Sequence, residues 1–445
     1  MIYKSSEQNF NINDLENTFL NDNYDINSSH MLSDEESKIF FINLSNYLQS
    51  KDFLNVNILI DDFIERAPEI YCPEFFDLNL HNRIYHVIAT SDNPLFLISI
   101  YKFLGKLVTN DIKYCELLIK QGFLQMTMNV LNEISSIELQ IYILRFIKNL
   151  ASKSSITMNM VHDIFSCKKL HEFALNYHDL IPDVLKTYYT YLIYNNEDDL
   201  VKEIMNLILD FFKFKTKDNM ICLIFLLYQF TKNQNLIVDY YLKESKVKNF
   251  IHKILKIDNS KSRKAIILYI LTSIYDIIPI EDESLFIDVS MLLCDENESI
   301  LIHTSELMCK FTDNKNSIIN EKYIPGILSK LLSISKDNIL TVKISSSSLL
   351  LNILILYPQY TTMLIKDGLM ELVIDMLDME VKFVTTKAIF YLSSIFEQEK
   401  KSGKTNIFDL FLELDGMKMM FSLLDSSDNA IANYSRNFIL LFGNE

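Results

Sequence analysis

The 445-residue sequence contains no tryptophan and only seven glycines and seven prolines. Glycine is the residue that reaches positive φ without strain, so its scarcity leaves few tight turns, β-hairpins or phosphate-cradling loops. Cysteine is sparse as well: Cys72, Cys115, Cys167, Cys222, Cys294 and Cys309 are evenly spread, with no CxxC pair. That spacing argues against a disulfide framework and reads as buried thiols in a reducing compartment. Positive charge is in the minority, 42 Lys and Arg against 58 Asp and Glu, for a net charge of −16. Nucleic acid is thereby excluded as principal partner, because its affinity rests on clustered cations that neutralise phosphates. The opening "MIYKSSEQNFNINDLENTF" lacks the basic-then-apolar layout of a signal peptide. The longest uncharged run, 344–365, has the length of a membrane span, yet four consecutive serines, Asn352, Pro358 and Gln359 interrupt it. No membrane association is expected, and the expected location is cytoplasmic, with nuclear or cytoskeletal sites left open.

What is abundant is apolar: 49% of residues are hydrophobic, with 30 phenylalanines and 23 tyrosines. With turns so few, this composition implies a heavily buried, aromatic-rich, all-α protein. Residues 1–37 are of another kind, with eight acidic residues against Lys4 alone among many Asn and Ser. Such a segment cannot bury a core and is expected to be an acidic disordered tail. From "SKIFFINLSNYLQS" onward, apolar residues recur at i, i+3, i+4 and i+7 between short polar loops, the signature of amphipathic helices. Residues 38–445 therefore read as one continuous helical domain, with a weaker pattern over 38–90 and 180–300.

The domain repeats itself. "KQGFLQMTMNVL" at Gly122, "KDGLMELVIDML" at Gly368 and "LDGMKMMFSLL" at Gly416 share a glycine followed by an apolar ladder, and "KYIPGILSKLL" fits the same frame with Tyr323 in place of the glycine. The steps from 323 to 368 and from 368 to 416 are 45 and 48 residues. A longer helix follows each copy, as in "SIELQIYILRFIKNLA" and "VKFVTTKAIFYLSSIF". Weaker copies start near 80, 169, 200, 246 and 285, giving about nine units, and a period of ~40–47 residues is that of armadillo and HEAT repeats.

The segments "CELLIKQGFLQMTMNVLNEISSIELQIYILRFIKNLA" and "MLIKDGLMELVIDMLDMEVKFVTTKAIFYLSSIF" resemble armadillo repeats from end to end: a short helix, a glycine turn, a second helix, then a long third helix. The resemblance covers roughly residues 70–445 and implies a right-handed α-solenoid whose third helices build a concave groove. The glycine supplies an αL turn between the first two helices.

Motifs for chemistry are weak. His162, Cys167, His171 and His178 form one local cluster, but structural zinc normally takes four ligands in tight pairs. "QEKKSGKTN" ends like a phosphate loop, yet Gln398 stands where the first glycine belongs and no strand precedes it. There is no GxSxG and no HExxH, and acidic pairs such as Asp61-Asp62 and Asp198-Asp199 read as solvated loop or cap groups. An enzyme is not expected, nor is a cofactor or a metal.

The groove carries the functional reading. Aligned on "ILRFIKNLA", groove positions come in pairs one turn apart: Lys102 and Lys106, Arg145 and Asn149, Phe225 and Gln229, with Tyr269, Lys310, Asn352 and Phe390 in later units and Lys148 beside Asn149. In "LKTYYTYLIYN", Tyr188 or Tyr191 is expected to face the groove. The resemblance to importin-α-like adaptors implies Trp and Asn at such a pair, the Asn gripping a peptide main chain; here only two units keep the Asn and no Trp exists. The basic end, Lys102, Lys106, Arg145 and Lys148, followed by aromatics, resembles instead the β-catenin use of the fold, which implies an acidic extended or helical protein segment as partner. The expected function is a non-enzymatic interaction scaffold, the alternatives being a divergent import adaptor or an Hsp70-regulating armadillo-type co-chaperone. The acidic tail, with "NFNINDLENTFL" at helical spacing, is a candidate intramolecular occupant of the same groove.

Overall fold

A computed structural model describes residues 33–66, 74–257, 260–277, 283–313, 321–379, 381–403 and 405–443. Among these residues all regular structure is helical. They fall into two compact units that divide between Lys248 and Asn249. In each unit five long helices pack in sequence order, each against the next, and the remaining helices, most of them shorter, pack against these and one another. The arrangement is that of an α-solenoid, in which each element buries its apolar stripe against its neighbours.

The long helices of the first unit are α1 (Phe53–Arg66), α2 (Pro94–Asn110), α3 (Ile137–Ala151), α4 (Ile181–Tyr194) and α5 (Lys217–Phe230). Those of the second are α6 (Lys261–Tyr275), α7 (Glu298–Asp313), α8 (Leu340–Leu356), α9 (Lys382–Ser402) and α10 (Asn429–Phe442). Their starts follow from capping chemistry: the Asn93 side chain accepts from the Leu95 amide at 3.1 Å with Pro94 at the first helical position, and Ser136, Thr216, Ser260 and Asp428 cap α3, α5, α6 and α10 in the same way. Shorter helices begin at Leu80, Cys167, Asp198, Ser245 and Glu283, close to the places where the weak copies of the repeat begin.

Gly122 and Gly368 adopt the expected left-handed turn, with φ of 83° and 84°. Gly416 does not. The left-handed residue there is Asp415 (φ 60°), while Gly416 starts the next helix, and a Cβ on it would lie 2.2 Å from the Phe411 ring. Close packing, not backbone freedom, requires that glycine. At Tyr323 the turn is a single 3-10 turn, Glu321–Tyr323, followed by a helix with Pro325 in its first turn.

The first described helix, Asp34–Ser50, begins earlier than the expected domain start at 38 because Ser33 and Glu36 form a reciprocal capping box. Residues 1–32 of the acidic tail lie outside the described residues. Hydrogen bonds from the Ser33 backbone and side chain, and then from Arg66, hold the Glu36 carboxyl well below the ordinary carboxylate range, at about 2. The lowered value means that this cap persists above the carboxylate's ordinary pKa and is lost only as pH falls through the folded value. A carbon-detected NMR titration is expected to find the Glu36 midpoint near 2, and a midpoint at the ordinary glutamate value would contradict the capping geometry.

Among the described residues no single helix is long and apolar enough to cross a membrane. The uncharged run 344–365 is split between α8 and Pro358–Ile365, bent by 110° at the break, and most of α8 from Ser346 to Leu354 is buried.

Candidate functional site

The aligned amides turn inward. Asn149 on α3 donates from Nδ2 to the Gly105 carbonyl of α2 at 3.1 Å, and Gln229 on α5 donates from Nε2 to the Leu192 carbonyl of α4 at 3.3 Å. In the second unit Asn352 on α8 donates to Thr312 Oγ1 of α7 at 3.1 Å. All three are buried. The alignment that implied a grip on a peptide main chain therefore finds a tie between successive long helices, one repeat apart. A buried amide that loses such a partner is left unsatisfied, so these side chains hold repeat spacing.

The basic end is smaller at the surface than expected. Lys106 and Lys148 are only 4% and 3% exposed, and burial pulls the Lys106 ammonium below the ordinary lysine range. These two correct the expectation of four groove cations, because their positions on α2 and α3 face the helix packing. Lys102 and Arg145 remain half-buried, reaching the surface from adjacent helices. Both lie near one ring: Lys102 Nζ is 4.8 Å and Arg145 Cζ 5.2 Å from the centroid of Tyr142. Arg145 Nε also meets the nearly buried Asp183 Oδ1 of α4 at 3.3 Å. The result is a cation–aromatic–cation array over α2 and α3, with an internal carboxylate at one end.

The aromatic middle is corrected as well. Tyr188 and Tyr191 are fully buried, their hydroxyls donating to the carbonyls of Cys167 and Phe165, each at 2.8 Å. Burial pushes both phenols well above the ordinary tyrosine value. Phe225 is buried too, edge-on to Tyr189 with ring centroids 6.2 Å apart. In the second unit Tyr269 and Phe390 are exposed, Tyr269 lying edge-on to His303, and Lys310 pairs with Asp276, the residue that caps the end of α6. The structure thus brings together Lys102 and Arg145 and places the remaining candidates apart or inside. Alignment on position pairs overlooked Tyr142 and Asp183. Tyr142 stands three residues before Arg145, so helical spacing alone puts both on one face.

The histidine and cysteine cluster disperses. Cys167 Sγ lies 3.7 Å from His162 Nε2, but His171 turns to Asp210 at 3.2 Å and His178 packs on the Phe214 ring at 4.1 Å. Among the described residues no group of three or more His, Cys, Asp or Glu is placed to hold a metal ion. The phosphate-loop look-alike has a structural explanation. Gly403 ends α9 in the left-handed conformation (φ 66°), and the buried Glu399 carboxylate accepts from the amides of Ile407 and Phe408 at 2.9–3.1 Å. The chain's own carboxylate fills the start of the next helix, the place an anion takes. Lys404 lies outside the described residues.

No protein-family model and no curated protein matches the chain. Solved structures do: one is the crystal structure of an engineered protein from the Northeast Structural Genomics Consortium, with a TM-score of 0.64 and 14% sequence identity over 90% of this chain and 98% of that one. At that identity the likeness concerns the fold alone, and the protein is accordingly described as an all-helical α-solenoid.

Proposed function

We propose that this protein is a non-enzymatic, armadillo-type interaction scaffold of the cytoplasm that docks an acidic, extended or helical protein segment on the face formed by α2 and α3. The supporting observation is the Lys102–Tyr142–Arg145 array, two cations held on one ring by adjacent helices. An incoming carboxylate replaces Asp183 at Arg145, while an apolar side chain lies on Tyr142. The buried thiols of Cys115, Cys167 and Cys222, pushed above their ordinary range by burial, suit a reducing compartment. Import of basic cargo fits less well, since Asn149 and Asn352 already donate to neighbouring helices.

The test is fluorescence anisotropy with a short peptide alternating Glu with Leu and Phe, and a Lys/Arg counterpart, on the full chain. Lys102→Glu/Arg145→Glu is expected to weaken acidic-peptide binding at least about tenfold, corresponding to ~1.4 kcal/mol, and wild-type affinity is expected to fall with salt. Asp183→Asn is expected to strengthen it by removing the internal carboxylate that competes for Arg145. Equal affinity in the charge-reversed variant, or preference for the basic peptide, would refute the reading.

A further inference from the structure

Helix α9 meets the stack with one apolar stripe and carries a second outside it. Val384, Ala388, Leu392 and Ile395 are buried. On another side of the helix Phe383 is 42% and Phe390 55% exposed. Seven residues separate the two rings, so they stand on one face, about 10 Å apart along the helix axis. Lys387 lies between them on that face, one turn after Phe383 and one before Phe390, with its Nζ 4.1 Å from the Phe383 centroid. The same ammonium donates to Ser348 Oγ of α8 at 2.9 Å, and Ser348 is buried. That bond holds the lysine across the junction of two successive long helices. The two exposed rings contribute little to the stack, whose contact with α9 is made by the buried stripe. What they add is a surface of apolar, cationic and apolar groups in a row.

The row fits one kind of occupant. A helix repeats its face every seven residues, so apolar side chains at j and j+7 of a partner helix match the spacing of the two rings. A carboxylate at j+3 or j+4, according to direction, then lies opposite Lys387 and meets an ammonium already positioned for it. A phosphate chain is not matched, because the three residues offer a single cation and the net charge of −16 opposes a polyanion. We propose that Phe383, Lys387 and Phe390 form a second docking site, on the 249–445 unit, for an amphipathic helical segment of a partner protein that carries one carboxylate between two apolar side chains. The site uses no residue of the α2 and α3 array.

Fluorescence anisotropy tests this on the full chain carrying Lys102→Glu/Arg145→Glu, so that binding at α2 and α3 does not contribute. The probe is a labelled alanine-based helical peptide with Leu at j and j+7 and Glu at j+4, and its counterpart has Lys at j+4. Adding Phe383→Gln/Phe390→Gln, which places a good helix former at two exposed positions, is expected to weaken binding of the Glu peptide at least about tenfold with unchanged circular dichroism. Lys387→Met, which leaves both rings, is expected to weaken it about threefold and to erase the preference over the Lys peptide. Absence of binding to the parent chain, an affinity unaltered by Phe383→Gln/Phe390→Gln, or equal affinity for the two peptides overturns the proposal. So does self-association of the parent in sedimentation that Phe383→Gln/Phe390→Gln abolishes, because the occupant is then a second copy. The α2 and α3 site is read from wild type with the alternating peptide, so either site can fail without the other.

Discussion

Glu399→Ala is expected to destabilise the 249–445 unit by about 3 kcal/mol, read as a lowered denaturant midpoint at unchanged slope. The carboxylate is buried at the end of α9 and accepts from the Ile407 and Phe408 amides, which begin the helix Asn406–Glu413. Those two amides have no partner within their own helix, as is general for the first turn. Hydrogen bonds to a charged acceptor contribute ~1.5–3 kcal/mol each, and part of that is recovered when water enters the truncated site. Glu399→Gln keeps an acceptor oxygen but removes the charge that suits a helix N-terminus, so its effect is expected to be about half as large. A loss in Glu399→Ala no greater than an exposed-surface substitution gives, ~0.5 kcal/mol, would show that the contact carries no stability.

Phe396→Ala is expected to have a larger effect, ~3–5 kcal/mol, by the same measurement. Its ring sits one turn before Glu399 and within 5.0–5.9 Å, centroid to centroid, of Phe408, Phe411, Phe438 and Phe442. Truncation therefore removes one ring from a five-ring cluster that joins α9, the short helix and α10, and leaves a cavity that four rigid neighbours fill poorly. Phe396→Leu, which keeps most of the volume, is expected to lose ~1.5 kcal/mol or less. Both residues anchor the helix Asn406–Glu413, so the double variant is expected to fall short of additivity by about 1 kcal/mol. Strict additivity would mean that cap and ring cluster hold the helix independently.

The repeat was legible because it rests on local chemistry. Glycines at 122 and 368 and apolar stripes at helical spacing each leave a mark within a few residues, and helices follow both glycines as those marks placed them. Gly416 shows the limit of such reading: the same letter in the same frame is required by the Phe411 ring five residues earlier, a packing relation that backbone preference does not encode. The site was legible only as a row of positions. Sequence alignment put Lys102 and Arg145 in register, but a helix alone does not say how much of its circumference the next helix covers.

Composition and periodicity by themselves determined an all-helical chain, its stacking repeat and the poverty of catalytic motifs, since helix formation and amphipathicity follow from spacing along the chain. Tertiary structure alone decided which candidates face outward. Lys106, Lys148, Tyr188 and Phe225 went inside because neighbouring helices cover their faces. Asn149, Gln229 and Asn352 became ties between repeats, because a buried amide bonds to the nearest carbonyl or hydroxyl within reach. Tyr142 entered the candidate site for the same reason in reverse: its ring lies within 5.2 Å of two cations, Arg145 on its own helix and Lys102, which the packing of α2 on α3 brings to it.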